Sequence, residues 1–159
     1  MTRRRGRALR GQRVVAAVPH GHWKTTTLSA ALDSCGLRCA MVLDGAANQL
    51  AFEAFVGEGL ASTLPPGDLV IMDNLSSHTG PRVGQLIRAV GAEVVYLPPY
   101  SPDLDPIENA FSKIKPALRS LGLRVMTELW DTIQPVLDRI TPNAAAGFFR
   151  HCGYATKEK

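Results

Sequence analysis

Between residues 69 and 97 the hydrophobic pattern changes period twice, and no other stretch constrains the fold as tightly. Leu69, Val70, Ile71 and Met72 are continuously apolar, the pattern of a strand buried on both faces in a parallel region. Val83, Leu86, Ile87 and Val90 then recur at i, i+3, i+4 and i+7, with Gly91 as a stop, which makes one face of a helix apolar. Val94, Val95, Tyr96 and Leu97 follow at once as a second strand. Strand, helix and strand joined so closely form a βαβ unit, whose crossover is right-handed almost without exception.

The flanking segments extend this unit into an α/β fold. Residues 14–18, 25–32 and 37–43 are β-branched or alternating runs, separated by Pro-His-Gly-His and Cys-Gly, and are expected to form an antiparallel meander. Phe52, Phe55, Val56 and Leu60 have helical spacing after Asn48, a suitable N-cap, and Pro65-Pro66-Gly67 closes the segment. Ile107, Ala110, Phe111, Ile114, Leu118 and Leu121 trace a helical stripe that Pro116 is expected to break or kink. A second stripe runs through Leu129, Ile133, Val136, Leu137 and Ile140, with Pro135 awkwardly inside it. Thr141-Pro142 supplies an N-cap and a proline at the first helical position, leading to Phe148, Phe149 and a stop at Gly153. The expectation is a mixed sheet with flanking helices, three antiparallel strands followed by a parallel pair. A chain of 159 residues fits one such domain.

The net charge of +4 is unevenly spread. Arg3, Arg4, Arg5, Arg7, Arg10 and Arg13 fall in the first 13 residues, which hold no acid, leaving 12 basic against 14 acidic residues in the remainder. Residues 1–13 are therefore a basic arm. Such an arm suits nucleic-acid phosphates, since each neutralised phosphate releases a counterion; a solvated terminus is the alternative. The three cysteines, Cys35, Cys39 and Cys152, are odd in number and lack the paired ligands of structural zinc, so buried free thiols are expected. No apolar run approaches the roughly 20 residues needed to cross a bilayer, and no signal-peptide core follows the arginines. A cytoplasmic location is expected.

Two carboxylates stand out. Asp73, in MDNLSSH, follows the strand Leu69–Met72, and the crevice beyond strand carboxyl ends is where ligands collect in α/β sheets; the same residues also make good turn chemistry. Asp105-Pro106-Ile107-Glu108 reads as a capping box, in which Asp105 accepts from the amide of Glu108 and Glu108 reaches back to the amide of Asp105. The βαβ unit fills the 34 residues between Asp73 and Glu108 and returns the chain to the same sheet edge, so both carboxylates are delivered to one crevice. Hard oxygen ligands of this kind suit Mg²⁺ or Mn²⁺. A pair of such ions supports in-line phosphoryl transfer.

MDNLSSH and LPPYSPDLDPIENAFSKIK, at this separation, closely resemble the catalytic domain of DDE transposases of bacterial insertion sequences related to the Tc/mariner superfamily. GRALRGQRVVAAVPHGHWKTTTLSAAL, MVLDGAANQLAFEAFV and FFRHCGYAT are similar to that family as well, so the resemblance covers nearly the whole chain. It implies an RNase H-like fold and metal-dependent cleavage and joining of DNA at element ends, with terminal repeats and target DNA as partners and a homo-oligomer in the complete enzyme. Asp73 matches the second catalytic acid and Glu108 the third, with Asn74, His78 and Asp105 as supporting residues; His78 would position a DNA phosphate or water. Lys113 and Lys115 either meet the DNA backbone or form a solvated helix face.

The first acid of the family lies on a strand just upstream of the Arg-Gly-rich stretch, ahead of Met1. Residues 14–159 are therefore expected to be a partial RNase H-like domain that lacks the first central strand. Unpaired strand edges would then make the isolated chain poorly stable or a weak metal binder. It is expected to be inactive alone and to need an upstream fragment for the missing acid. The family's helix-turn-helix domain is also expected to be missing, which would weaken end recognition. Asp105 stands where the family usually has Asn, and Asp44 matches a loop into the first helix rather than the missing acid. GHWKTTT is not a phosphate-binding loop, because Trp23 replaces the second glycine; His20 and His22 are expected in polar-loop or DNA-facing roles. The alternatives are an inactive remnant and a non-catalytic DNA-binding or interaction protein that uses the arginines.

Overall fold

A computed structural model describes residues 6–15, 25–122 and 126–155. Strands β1 (Thr26–Asp33) and β2 (Gly36–Asp44) form an antiparallel hairpin in which Thr26 pairs with Asp44 and Asp33 with Gly36. The ladder register shifts between Ala31 and Leu32. Leu28, Leu32, Leu37 and Val42 pack against one hydrophobic cluster, while Ala31, Cys39 and Met41 pack against another. The hairpin is thus a middle layer with helices on both sides, so neither strand shows a simple alternation of buried and exposed residues.

Helix α1 (Gln49–Ala54) starts where Asn48 accepts from the Ala51 amide at 2.9 Å, as the cap chemistry anticipates. It widens into a π turn over Phe55–Leu60 and tightens into a 3₁₀ turn over Ala61–Thr63. Gly57 and Gly59 fall in the widened part, where their low helix propensity weakens the regular α ladder. Strand β3 (Leu69–Met72), helix α2 (Pro81–Ala89) and strand β4 (Glu93–Tyr96) form the expected βαβ unit, with Met72 beside Tyr96 in a parallel pair. Gly91 adopts φ +79° just after α2, a left-handed conformation that ends the helix with little strain only for glycine. Phe52, Phe55, Val56, Leu60, Met72, Val83, Ile87 and Ala92 form the core under this half.

Helices α3 (Pro106–Leu121), α4 (Met126–Leu137) and α5 (Pro142–His151) cover the other face of the hairpin. Ala110, Ile114 and Leu118 of α3 meet Ile133, Val136 and Leu137 of α4, with Ile140, Ala145 and Phe148 completing the cluster. Each fully buried Ile or Val contributes about 1.5–3 kcal/mol relative to exposure. Thr141 caps α5 by accepting from the Ala144 amide at 3.3 Å.

The structure departs from the sequence reading in five places. The described strands form two separate two-stranded ladders rather than one mixed sheet, because no described strand joins the hairpin to the parallel pair. Of the strand expected over residues 14–18, Val14 and Val15 are irregular and the remainder lies outside the described residues, as do His20 and His22. Strand β3 is not buried on both faces: Val70 and Met72 pack on the core, but Leu69 is 54% exposed, as is Val95 at 45% on β4. Helices cover that pair on one side only among the described residues. Pro116 does not break α3, nor Pro135 α4; in each, packed residues on both sides of the proline hold the helix against its lost amide hydrogen bond. Finally, Cys152 is buried and Cys39 half-buried, but Cys35 is exposed, since it occupies the two-residue turn of the hairpin. No helix among the described residues is long and apolar enough to cross a membrane.

Candidate active site

The parallel pair determines where the two carboxylates go. The Leu97 amide donates to the Met72 carbonyl at 2.9 Å, so the segments leaving β3 and β4 start side by side. From β3 the chain enters Asp73, Asn74 and the turn around Leu75. From β4 it passes Pro98, Pro99 and Tyr100 into a 3₁₀ turn, Pro102–Leu104, and then α3. Between them lies a cavity of about 430 Å³, lined on one side by Asp73 to Ser76 and on the other by Leu97 to Pro102, Asp105 and Glu108. Asp73 and Glu108 line the same cavity across the 34-residue separation.

The first wall is tied by side chains. Oδ1 of Asp73 accepts from the Leu75 amide at 3.3 Å and contacts Nδ1 of His78 at 2.5 Å. Asp73 is thus also the turn residue that its sequence context suggests. The His78 amide donates to the Leu75 carbonyl at 2.8 Å, and its own carbonyl accepts from the Tyr96 hydroxyl at 3.2 Å. The imidazole stacks on Phe52 with ring centroids 3.9 Å apart. Among the described residues, Oδ2 of Asp73 has no hydrogen-bond partner.

The second wall is built differently, and here the expected capping box is not formed. The Asp105 side chain accepts from the Ile107 amide at 3.3 Å, while the Glu108 amide donates to the main-chain carbonyl of Asp105 at 3.2 Å. The return arm is absent because the 3₁₀ turn takes the Asp105 amide, which donates to the Pro102 carbonyl at 3.2 Å. Glu108 is exposed, and its carboxylate makes no hydrogen bond or ion pair with another described residue. The Tyr154 hydroxyl donates to the Leu104 carbonyl at 2.8 Å, and the Asn109 amide group donates to the Cys152 sulfur at 3.4 Å. These bonds pin the turn and the start of α3 to the end of α5.

The carboxylates sense one another electrostatically. Burial pushes the Asp105 carboxyl above its ordinary value, and repulsion from Glu108 and Asp73 pushes it further, against the lowering effects of the Ile107 amide and His78. Burial likewise raises the Cys152 thiol, with Asp105 adding to it, and raises the Tyr154 hydroxyl.

Two hard-oxygen carboxylates lining one cavity fit Mg²⁺ or Mn²⁺, which take one or two protein carboxylates together with waters. They make up only part of a ligand shell, for no group of three or more His, Cys, Asp or Glu gathers closely enough to hold an ion among the described residues. Asn74 lines the cavity, whereas Asp44 ends β2 and does not. Lys113 Nζ lies 4.8 Å from the Phe148 ring centre and Lys115 Nζ 5.3 Å from that of Phe111, so both exposed ammonium groups sit over aromatic faces of this chain. Arg7, Arg10 and Arg13 are exposed; Arg3, Arg4 and Arg5 lie outside the described residues. Phe52 and Tyr96 were expected only as helix and strand residues, and no site contact was expected of them or of Asn109 and Tyr154. For Tyr154 the segment FFRHCGYAT was the available signal, and for Asn109 the segment LPPYSPDLDPIENAFSKIK.

A family model described as DDE superfamily endonuclease matches residues 1–127. Among solved structures, the chain is similar to the Mos1 strand transfer complex, at 20% identity and a TM-score of 0.73 over 96% of this chain and 46% of that one. It is also similar to the mariner Mos1 paired end complex with Mg, at 19% identity and a TM-score of 0.76 over 95% of this chain and 48% of that one. The Mos1 transposase catalytic domain with raltegravir and Mn matches at 18% identity and a TM-score of 0.69, over 80% of this chain and 70% of that one. The chain thus spans about half the length of the proteins in the two larger complexes. No curated protein matches the sequence. At these identities the likeness establishes the fold, the α/β arrangement of the Mos1 catalytic domain.

Proposed function

The chain belongs to the DDE superfamily of endonucleases, and on that premise we propose that it is the catalytic part of a Tc/mariner-related insertion-sequence transposase that cleaves and joins DNA strands by phosphoryl transfer. The observation that carries this reading is that Asp73 and Glu108 line one cavity with carboxylate oxygens that the fold does not use: Oδ2 of Asp73 and both oxygens of Glu108. Asp73 and Glu108 would hold Mg²⁺ or Mn²⁺ as the second and third acids. When bound, the metal supplies activation of an attacking oxygen and stabilisation of a leaving oxygen. Asn74 lines the same wall, and Asp105 holds the α3 start from which Glu108 projects. Arg7, Arg10 and Arg13, with Arg3, Arg4 and Arg5, would meet DNA phosphates of the element ends and target, joined by Lys113 and Lys115 if these swing off their aromatic rings.

The first carboxylate of a DDE site is not one that Asp105 supplies, since its side chain caps α3. The reading therefore calls for one further acid besides Asp73 and Glu108, from residues outside those described or from another polypeptide, within a homo-oligomer. The test is Mg²⁺- or Mn²⁺-dependent nicking of element-end DNA by this chain with and without the upstream segment. Cleavage should be greatest with the segment and fall to background in Asp73→Ala and Glu108→Ala. Undiminished cleavage in either variant would overturn the assignment.

A second reading, DNA binding without catalysis, is favoured by the exposure of Arg7, Arg10 and Arg13, none of which forms an ion pair with another described residue. Binding that survives Asp73→Ala and Glu108→Ala but is lost on replacing the arginines, with no cleavage under any condition, would select it.

A further inference from the structure

Asp73 stands at the end of a four-residue strand with its side chain 54% exposed, a setting in which a carboxylate ordinarily rotates among rotamers. It does not have that freedom here. The Leu75 amide and the His78 ring both meet Oδ1, so the carboxylate is held in one rotation and Oδ2 is the oxygen that remains for the cavity. A carboxylate only accepts, so Nδ1 of His78 must carry the hydrogen in this contact.

His78 is held in turn from three directions. Its amide is bonded to Leu75, its carbonyl receives the Tyr96 hydroxyl from β4, and its ring lies against Phe52 with the planes 27° apart. Phe52 is buried in α1 at 9% exposure. Helix α1 rests directly on the loop that contains His78: a Cβ on Gly80 would come within 2.7 Å of the Gln49 amide nitrogen and 3.3 Å of a Glu53 oxygen. A packed ring, a main-chain turn and a strand hydroxyl converge on one histidine whose ring, among the described residues, is hydrogen-bonded to Asp73.

We propose that His78 is the positioning residue for Asp73: backed by Phe52, it donates through Nδ1 to Oδ1 and thereby presents Oδ2 to the divalent cation. The inference rests on the metal site of the proposed function and deepens it. Groups that orient a metal ligand through a hydrogen bond typically change metal affinity 10–100-fold when removed.

The test is Mn²⁺ binding to the purified chain, followed by the electron paramagnetic resonance signal of the free ion, with circular dichroism reporting on folding. Asp73→Asn should remove binding. His78→Ala should weaken it about 10–100-fold. His78→Asn places an amide donor near the position of Nδ1 and should recover most of the loss, whereas His78→Gln reaches the position of Nε2 and should not. The Asn and Gln pair decides the matter even if His78→Ala fails to fold. Loss of binding in Asp73→Asn with unchanged affinity in the His78 variants overturns the positioning role alone. Equal rescue by Asn and Gln also overturns it, since that would leave only a packing role. Binding by Asp73→Asn equal to that of the parent chain, or no binding by the parent chain, overturns the metal site itself and the inference with it.

Discussion

Asp73 and Glu108 face the same cavity from walls built on opposite plans. On the Asp73 side the backbone is a short loop and the carboxylate is fastened, by an amide and an imidazole that is itself backed by a buried ring. On the Glu108 side the backbone is fastened, by the 3₁₀ turn, the Asp105 cap and the Tyr154 hydroxyl, and the carboxylate is left loose. The contrast separates two ways of aiming a charged group: orient the side chain directly, or orient the helix that carries it. Each wall also rests on its own hydrophobic cluster, Phe52 to Ala92 for the first and Ala110 to Phe148 for the second.

The largest effects should come from the clusters. Ile87→Ala under the Asp73 wall and Ile114→Ala under the Glu108 wall each remove a fully buried side chain and should cost about 2–5 kcal/mol. If the walls are independent, the double variant should lose the sum to within about 0.5 kcal/mol in urea unfolding. A larger coupling would show that the shared β1–β2 hairpin transmits strain between them and would break the comparison.

The fastenings of the second wall come next. Asp105→Ala removes the α3 cap and should cost about 0.5–2 kcal/mol, with a weaker metal response through Glu108 although that side chain is untouched. Tyr154→Phe removes one hydrogen bond to the Leu104 carbonyl and should cost about 0.5–1.5 kcal/mol. Thermal melts with and without Mn²⁺ would show whether holding the backbone alone is enough to hold Glu108.

Asp105→Asn sharpens the contrast through pH. Burial and the neighbouring carboxylates raise the folded-state pKa of Asp105 above its unfolded value, so the stability it contributes is complete at low pH and is lost as pH rises through the folded pKa. Asn caps equally well and does not ionise. Melts across the acid range should therefore show Asp105→Asn above the parent at neutral pH, with the gain closing below the ordinary carboxylate pKa. A gain that persists undiminished at low pH would mean that ionisation of the buried Asp105 carboxyl is not its origin.

The smallest effect concerns the cavity rim. Tyr100 is fully exposed and has φ +58°, a left-handed conformation that costs a bulky residue about 1–2 kcal/mol. Tyr100→Gly should relieve this but lose part of the gain to the unfolded chain, leaving a net stabilisation below about 1 kcal/mol. A destabilisation in calorimetry would indicate that the ring is held by contacts with the rim.

Much of this was legible because it depends on neighbours in the chain. The βαβ unit follows from a run of four apolar residues, a 3.6-residue stripe and a glycine stop, and the caps at Asn48 and Thr141 lie where short polar side chains precede apolar periodicity. Asp73 and Glu108 could be brought to one crevice on paper because the unit between them returns to the same edge. The capping box was misread for an equally local reason: two arrangements compete for the Asp105 amide, and the turn begun by Pro102 takes it before Glu108 can.

The sequence by itself thus determined the order of elements from β1 onward, the helix starts and the return of Asp73 and Glu108 to one sheet edge, since periodicity and capping act over a few residues. Only the tertiary structure decided that β3 would leave Leu69 uncovered, that α3 would run unbroken through Pro116, and that Phe52, His78, Asp73 and Tyr96 would meet. Those outcomes depend on which surfaces pack together across long separations, and there the free energy of burial and of satisfied hydrogen bonds outweighs local preference.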